Sequence, residues 1–264
     1  MIKLIASDMD GTLLNSKGNL PEDFDKVADK LINKGIIMVA ASGRQYETLR
    51  NTFKNIKDDM VFLAENGAYV VYKNKELYSS VISKENINEI VKSAREISGV
   101  DIVLCGKKGA YIEDTGERFL EEVKKYYHKY ELVGNLIDVK DEFMKVSLFD
   151  KFGSEKNSNK IITPLWGEKF KVTVSGKDWL DIGNKNTNKG KSLRVIQKLL
   201  NIDKEETMVF GDYFNDVEML QEAYHSYAMM NAPEGVKKHS RFLAETNDED
   251  GVMRVIKEKV LKEA

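Results

Sequence analysis

The sequence predicts an α/β protein, a parallel-sheet core interrupted by a smaller α+β module. Three observations carry this reading. Residues 1–82 alternate buried apolar runs with amphipathic helical stretches, the pattern of parallel strands joined by right-handed crossovers. From 83 to 183, helices mix with strands whose residues alternate inside and outside, as in a mostly antiparallel sheet with one solvated face. From 184 to 264 the buried α/β texture returns, so the core is discontinuous and 83–183 is an insertion.

Residues 2–7 read as a buried strand. A helix follows from Pro21 to about Lys34, with Phe24, Val27, Ala28, Leu31 and Ile32 on one face and Gly35 at its end. Ile36 to Ala41 is apolar without alternation, as in a strand covered on both faces. Ser42-Gly43-Arg44 then leads into a helix reaching about Asn55, and Val61 to Ala64 is a third strand closed by Glu65-Asn66-Gly67. In the insertion, 84–98, 116–130 and 154–165 read as helices, and 145–149 and 169–174 as strands. The last part holds a helix over 189–200, a strand at 208–210, a helix over 216–223, a strand at 227–229 and a closing helix from Gly251 to Ala264.

Composition bounds the function. The 264 residues are 42% hydrophobic and 32% charged, with a formal net charge of -2, which makes no case for a nucleic-acid partner. The lysine-rich runs are interspersed with acids and read as solvated faces. A single cysteine, Cys105, rules out an internal disulfide and a thiolate metal cage, and its apolar neighbours suit a buried thiol. No apolar stretch approaches a membrane span, and Asp8 and Asp10 interrupt any signal core, so the expectation is a cytoplasmic protein.

The chemistry sits where strands end. Asp8-Met9-Asp10-Gly11-Thr12 follows the first strand, so two carboxylates stand in the crevice where open α/β folds bind ligands. One can attack an electrophile while the other trades protons, although Asp-Gly is also a common turn dipeptide. Ser42 follows the second strand. Its hydroxyl and the Ser42 and Gly43 N–H groups can donate to a phosphoryl oxygen, and the same atoms serve an ordinary N-cap.

Lys189 opens a helix against the macrodipole, which makes sense if it points at an anion. Gly211-Asp212-Tyr213-Phe214-Asn215-Asp216 again places carboxylates at a strand end, where oxygen ligands suit Mg²⁺ or where Asp216 stabilises the next helix. Such a series makes one cleft containing acids, a cation, a hydroxyl and room for metal.

With these four motifs in this order, the chain resembles the haloacid dehalogenase superfamily, and in particular its Cof-like branch with a class IIB cap. The resemblance spans essentially the whole chain. It includes Asn66-Gly67-Ala68, Asn231-Ala232-Pro233-Glu234 and Glu249-Asp250-Gly251-Val252, and the insertion after the third strand resembles the IIB cap. Tyr224-His225 and Met230 depart from the branch, which more often has smaller residues there.

The resemblance implies a Rossmann-like core with an inserted α+β cap and a Mg²⁺-dependent phosphatase acting on a small phosphorylated metabolite, a sugar phosphate or similar. Asp8 would be the nucleophile, forming an aspartyl-phosphate, and Asp10 the acid and base. Asp8, the Asp10 backbone carbonyl and Asp212 would hold the metal, with Asp216 ordering a metal-bound water or Lys189. Ser42, Lys189, Asn215 and the N–H groups at Met9 and Gly43 would hold the phosphoryl oxygens.

The cap would choose the leaving group. Its Arg118, Tyr126, Tyr127, His128, Lys145 and Trp179 read either as lining or as core and surface. Hexose phosphates, erythrose 4-phosphate, pyridoxal phosphate and flavin mononucleotide are candidate substrates. The rivals are a phosphomannomutase-like phosphotransferase and an idle sugar-phosphate-binding protein on the same fold. The oligomeric state is not legible.

Overall fold

The computed structural model describes residues 1–113 and 116–263. The chain divides into two compact units, one made of Met1–Tyr78 and the segment from Asn188 onward, the other of Ser79–Thr187.

In the first unit the elements are β1 (Leu4–Asp8), α1 (Phe24–Asn33), β2 (Ile37–Ala41), α2 (Tyr46–Thr52), β3 (Val61–Ala64), β4 (Tyr69–Tyr72) and β5 (Lys75–Ser79). The second unit, which begins at the last residue of β5, contributes α3 (Lys84–Arg95), β6 (Val100–Gly106), β7 (Ala110–Ile112), α4 (Glu117–Tyr126), β8 (Tyr130–Leu132), β9 (Phe143–Asp150), α5 (Ser158–Trp166), β10 (Phe170–Gly176) and β11 (Trp179–Asn184). The first unit resumes with α6 (Lys189–Leu200), β12 (Thr207–Gly211), α7 (Val217–Leu220), β13 (His225–Met229), α8 (Glu234–Lys237), β14 (Phe242–Ala244) and α9 (Gly251–Ile256).

The first sheet has the order β14-β13-β12-β1-β2-β3-β4-β5, parallel from β14 to β3 and antiparallel at β3–β4. Its central strands, β1, β2, β3 and β12, are largely apolar because both faces are covered. Ile5, Met38, Ala40 and Phe62 pack with Phe24, Leu31, Leu49 and Val252 on one side. Leu4, Ala6, Val39 and Leu63 pack with Leu193, Ile196, Met219 and Val236 on the other. The apolar runs at 36–41 and 61–64 thus report a buried central sheet. Sequence reading passed over the hairpin β4–β5, whose turn places Lys73 and Asn74 at positive φ, and the edge strand β14. The insertion therefore follows this hairpin, not the third strand directly.

The second unit has a six-stranded sheet of order β10-β11-β9-β6-β7-β8, antiparallel except for the parallel pair β7–β8. Helices α3 and α5 cover one face through Ile87, Ile90, Val91 and Ile162. The opposite face is not simply solvated. Phe119, Val123 and Tyr127 of the α4 segment pack on Val103, Cys105, Ile112 and Phe149 there, so β9 is buried on both sides. Alternation survives at the start of the edge strand β10, where Phe170 is buried and Val172 half-buried while Lys171 and Thr173 are exposed, and it is lost from Val174 onward.

Helix α9 passes at its end into a wider π-type turn, Lys257–Leu261, and the expected helix residue Ala264 lies outside the described residues. No helix among the described residues is long and apolar enough to cross a membrane.

Candidate active site

Strand register brings the motif ends together. Asp8 lies opposite Ala41 of β2, and Ser7 opposite Phe210 of β12. Asp8, Ser42 and Asp212 therefore leave three adjacent strands at one level of the carboxyl edge. Gly11 has φ +79°, and a Cβ there would stand 2.4 Å from Asp212 Oδ2, so the turn after β1 needs glycine for both conformation and space. Lys189 begins α6, whose N-cap Asn188 accepts the Lys191 N–H at 2.7 Å.

The centre of the site is ionic and buried. The Lys189 ammonium, with 0% exposure, donates to Asp8 Oδ1 and, at 2.6 Å, to Asp216 Oδ1. The other Asp216 oxygen accepts the Asp212 and Tyr213 N–H groups at 3.0 and 3.1 Å. Thr12 Oγ1 donates to Asp212 Oδ1 at 2.8 Å. Oxygens of Asp8, Asp212 and Asp216 lie within 4.8 Å of one another.

Burial, then the neighbouring Asp216 carboxylate, push the Asp8 carboxyl well above its ordinary range against the pull of Lys189. Burial also raises Asp212, against the Thr12 hydrogen bond. For Lys189, burial opposes the charge, but Asp8 and Asp216 outweigh it and hold the ammonium protonated.

Three carboxylates sharing one ammonium leave negative charge that a further cation, or a proton on one of the acids, would offset. The all-oxygen donor set suits a hard divalent ion. Asp216 already spends both oxygens on Lys189 and two N–H groups, so Asp8 and Asp212 are the freer acids of the three.

The remaining expected residues flank this centre. A Cβ on Gly43 would meet Asn66 Nδ2 at 2.9 Å, and Asn66 Oδ1 accepts Asn215 Nδ2 at 3.1 Å, so these three form a continuous rim. Ser42 is buried, and its Oγ accepts the Arg44 N–H at 3.2 Å. The Met9 side chain is buried in the core, which leaves only its backbone for the site. The Asp10 carboxylate stands apart from the other acids. It is exposed and takes both Nε, at 3.0 Å, and Nη2 of Arg44.

Sequence reasoning missed the support roles of Thr12 and Arg44, although both lie inside the motifs it singled out. In the inserted unit, Tyr127 is core, Trp179 packs on Phe149 at 5.3 Å, and Arg118 pairs with Asp178 at 2.8 Å. Lys145 lies 3.7 Å from Asp181, Tyr126 meets the Trp179 ring edge-on, and His128 is exposed. Tyr224 lies under the Arg241 guanidinium at 4.3 Å, and Met230 is half exposed at the end of β13.

Residues 5–256 match the family model of the haloacid dehalogenase-like hydrolases. The chain is 35% identical over 263 residues to the 5-amino-6-(5-phospho-D-ribitylamino)uracil phosphatase YbjI of Escherichia coli, covering 99% of this chain and 97% of that one. It is similar to the crystal structure of TM0651 from Thermotoga maritima, with TM-score 0.90 and 29% identity over 98% of this chain and 97% of that chain. The fold is shared with the HAD subclass IIB sugar phosphatase BT4131, at TM-score 0.78 and 22% identity over 97% of this chain and 98% of that chain.

Proposed function

This chain belongs to the haloacid dehalogenase-like hydrolases, in their Cof-like branch with a class IIB cap, and from that premise we propose a Mg²⁺-dependent phosphatase of a small phosphorylated metabolite. Its enzyme class, a phosphoric monoester hydrolase, comes with the family. The substrate class is a phosphate monoester of a sugar-like alcohol. A ribityl phosphate is the first example to test, given the full-length similarity to the ribitylaminouracil phosphatase. A single buried thiol, Cys105, and the absence of disulfide chemistry suit a cytoplasmic enzyme.

One observation carries the reading: the buried Lys189 ammonium between Asp8 and Asp216, with Asp212 in reach of both acids. Asp8 attacks phosphorus, the ester P–O bond breaks, and the leaving oxygen takes a proton from Asp10. Asp10 then removes a proton from the water that attacks the aspartyl-phosphate, which frees phosphate and restores Asp8.

Lys189 orients Asp8 and balances the phosphoryl charge, while Ser42, Asn215 and the Met9 and Gly43 N–H groups receive the phosphoryl oxygens. Arg44 orients the Asp10 carboxylate. Asp8, the Asp10 backbone carbonyl and Asp212 would hold Mg²⁺, with Asp216 ordering a bound water or Lys189. The ion would supply charge neutralisation at the phosphoryl group.

Asp8→Asn is the direct test. Phosphate release should fall by about three orders of magnitude or more, while the far-UV spectrum and melting temperature stay near wild type. Substantial residual turnover would remove Asp8 as nucleophile. With a sugar bisphosphate, release of free phosphate is expected, and accumulation of an isomer would point to phosphotransfer.

A further inference from the structure

Two late motifs of the chain, Asn231 to Glu234 and Glu249 to Val252, have so far no part in the chemistry. The structure ties their loops to the turn that carries Asp10. Asn231, just after β13, donates Nδ2 to the backbone oxygen of Gly11 at 2.8 Å, across 220 residues of sequence. Its Oδ1 accepts the Asn247 N–H at 3.3 Å. Asn247, after β14 and 8% exposed, donates its own Nδ2 to the Leu14 oxygen at 2.9 Å, across 233 residues.

One residue further on, Asp248 accepts from the Ser16 N–H at 2.8 Å and from its hydroxyl. The loop that presents Asn247 and Asp248 is itself braced. Thr246 and Glu249 form a capping box, and a Cβ on Gly251 would overlap the Glu245 oxygen at 2.1 Å.

The gripped turn is held unevenly by its own backbone, which closes a bridge between Asp10 and Leu14 but bonds loosely between them. Within it, Thr12 N–H to Met9 O and Leu13 N–H to Asp8 O are long, at 3.4 and 3.3 Å, and only Leu14 N–H to Met9 O is short, at 2.8 Å. Leu13 and Leu14 anchor it in the core, while the Asp10 carboxylate projects to solvent. Arg44 grips the Asp10 carboxylate from one side, and the outer bonds to Gly11 and Leu14 fix the backbone from which that side chain starts, on either side of Thr12.

We propose that Asn231 and Asn247 are positioning residues for the general acid, acting as a two-amide clamp on the Gly11 and Leu14 carbonyls that fixes where Asp10 meets the leaving oxygen. Asp8, on the strand itself, is held independently by the sheet and Lys189. The clamp therefore bears first on proton delivery through Asp10, and on the nucleophile only indirectly. This inference rests on the acid role of Asp10 proposed above.

The test measures kcat and KM for Asn231→Ala, Asn247→Ala and Asp10→Ala on an alkyl phosphate and on p-nitrophenyl phosphate. The nitrophenolate leaves without a proton and so bypasses the acid, and kcat/KM, which covers the steps through aspartyl-phosphate formation, leaves out the later base step that both esters share. Each asparagine variant should lose about tenfold in kcat/KM on the alkyl ester and less than about threefold on the aryl ester.

A purely structural role would lower the melting temperature and reduce both substrates equally, and that result in both asparagine variants overturns the clamp. Asn231, being exposed, keeps the test readable should Asn247→Ala fold poorly. Selective loss in Asp10→Ala without selectivity in the asparagine variants defeats the clamp alone. Equal losses of kcat/KM in Asp10→Ala defeat the acid assignment and the clamp with it.

Discussion

Both units bury carboxylates, and they treat them in opposite ways. In the inserted unit, Asp150 is fully buried, and neutral donors satisfy both its oxygens: the Phe152 N–H and Asn157 Nδ2 at 3.0 Å each, and the Ser158 N–H at 2.8 Å. Burial works against this carboxylate, yet the bonds from Asn157 and Ser158 prevail and hold it below the usual range. The discontinuous unit instead crowds Asp8, Asp212 and Asp216 around one ammonium, and burial drives Asp8 upward. A buried acid surrounded by neutral donors is a fastener for the loop and helix it caps. A group of acids short of positive charge is a place prepared for a cation and an electrophile.

Removing the ammonium should break the contrast most severely. Lys189→Ala leaves Asp8 and Asp216 buried together without their cation and should cost about 3–5 kcal/mol in urea unfolding. Added Mg²⁺ should recover part of this loss, and a loss unaffected by Mg²⁺ would mean the cluster needs no divalent ion.

Asp150→Asn turns one acceptor into a donor facing N–H groups and should cost about 1–3 kcal/mol, in the inserted unit only. Because the folded carboxyl is depressed, its contribution is present above its unfolded value, about 4, and is lost as pH falls through the folded one. The stability gap between wild type and variant should therefore be constant near neutrality and close in acid. A gap that widens on acidification would reverse the assignment.

The smallest effect should come from Thr12→Val, which removes the donor to Asp212 Oδ1. The Mg²⁺ concentration for half-maximal activity should rise about tenfold, with kcat at saturating Mg²⁺ little changed.

Much of this arrangement was legible from sequence, for identifiable reasons. Parallel strands buried on both faces leave uninterrupted apolar runs, as at 37–41 and 61–64, and acids following them mark the carboxyl edge. Lys189 drew attention because an ammonium at a helix start is locally unfavourable, and its two carboxylate partners supply the compensation.

What escaped notice had weak local signals. The strand β5, Lys75-Glu76-Leu77-Tyr78-Ser79, is polar because it lies at a sheet edge, and its turn uses Lys73-Asn74 without the glycine that usually betrays a hairpin. The packing of α4 on the second sheet depends on which face of that sheet Phe119 and Val123 choose, a tertiary matter no periodicity reveals. The Arg44 grip on Asp10 and the Asn231 and Asn247 bonds link residues far apart in sequence, so spacing carries no trace of them.

The neighbouring positions of β1 and β12 in the sheet also bear on how the enzyme is made. A nascent chain grown as far as Thr187 contains Asp8, Asp10 and the whole inserted unit, but neither the ammonium at 189 nor the acids at 212 and 216. On the proposed mechanism, hydrolytic competence thus waits until Asp216 has been added, and shorter fragments carry Asp8 without the groups that surround it.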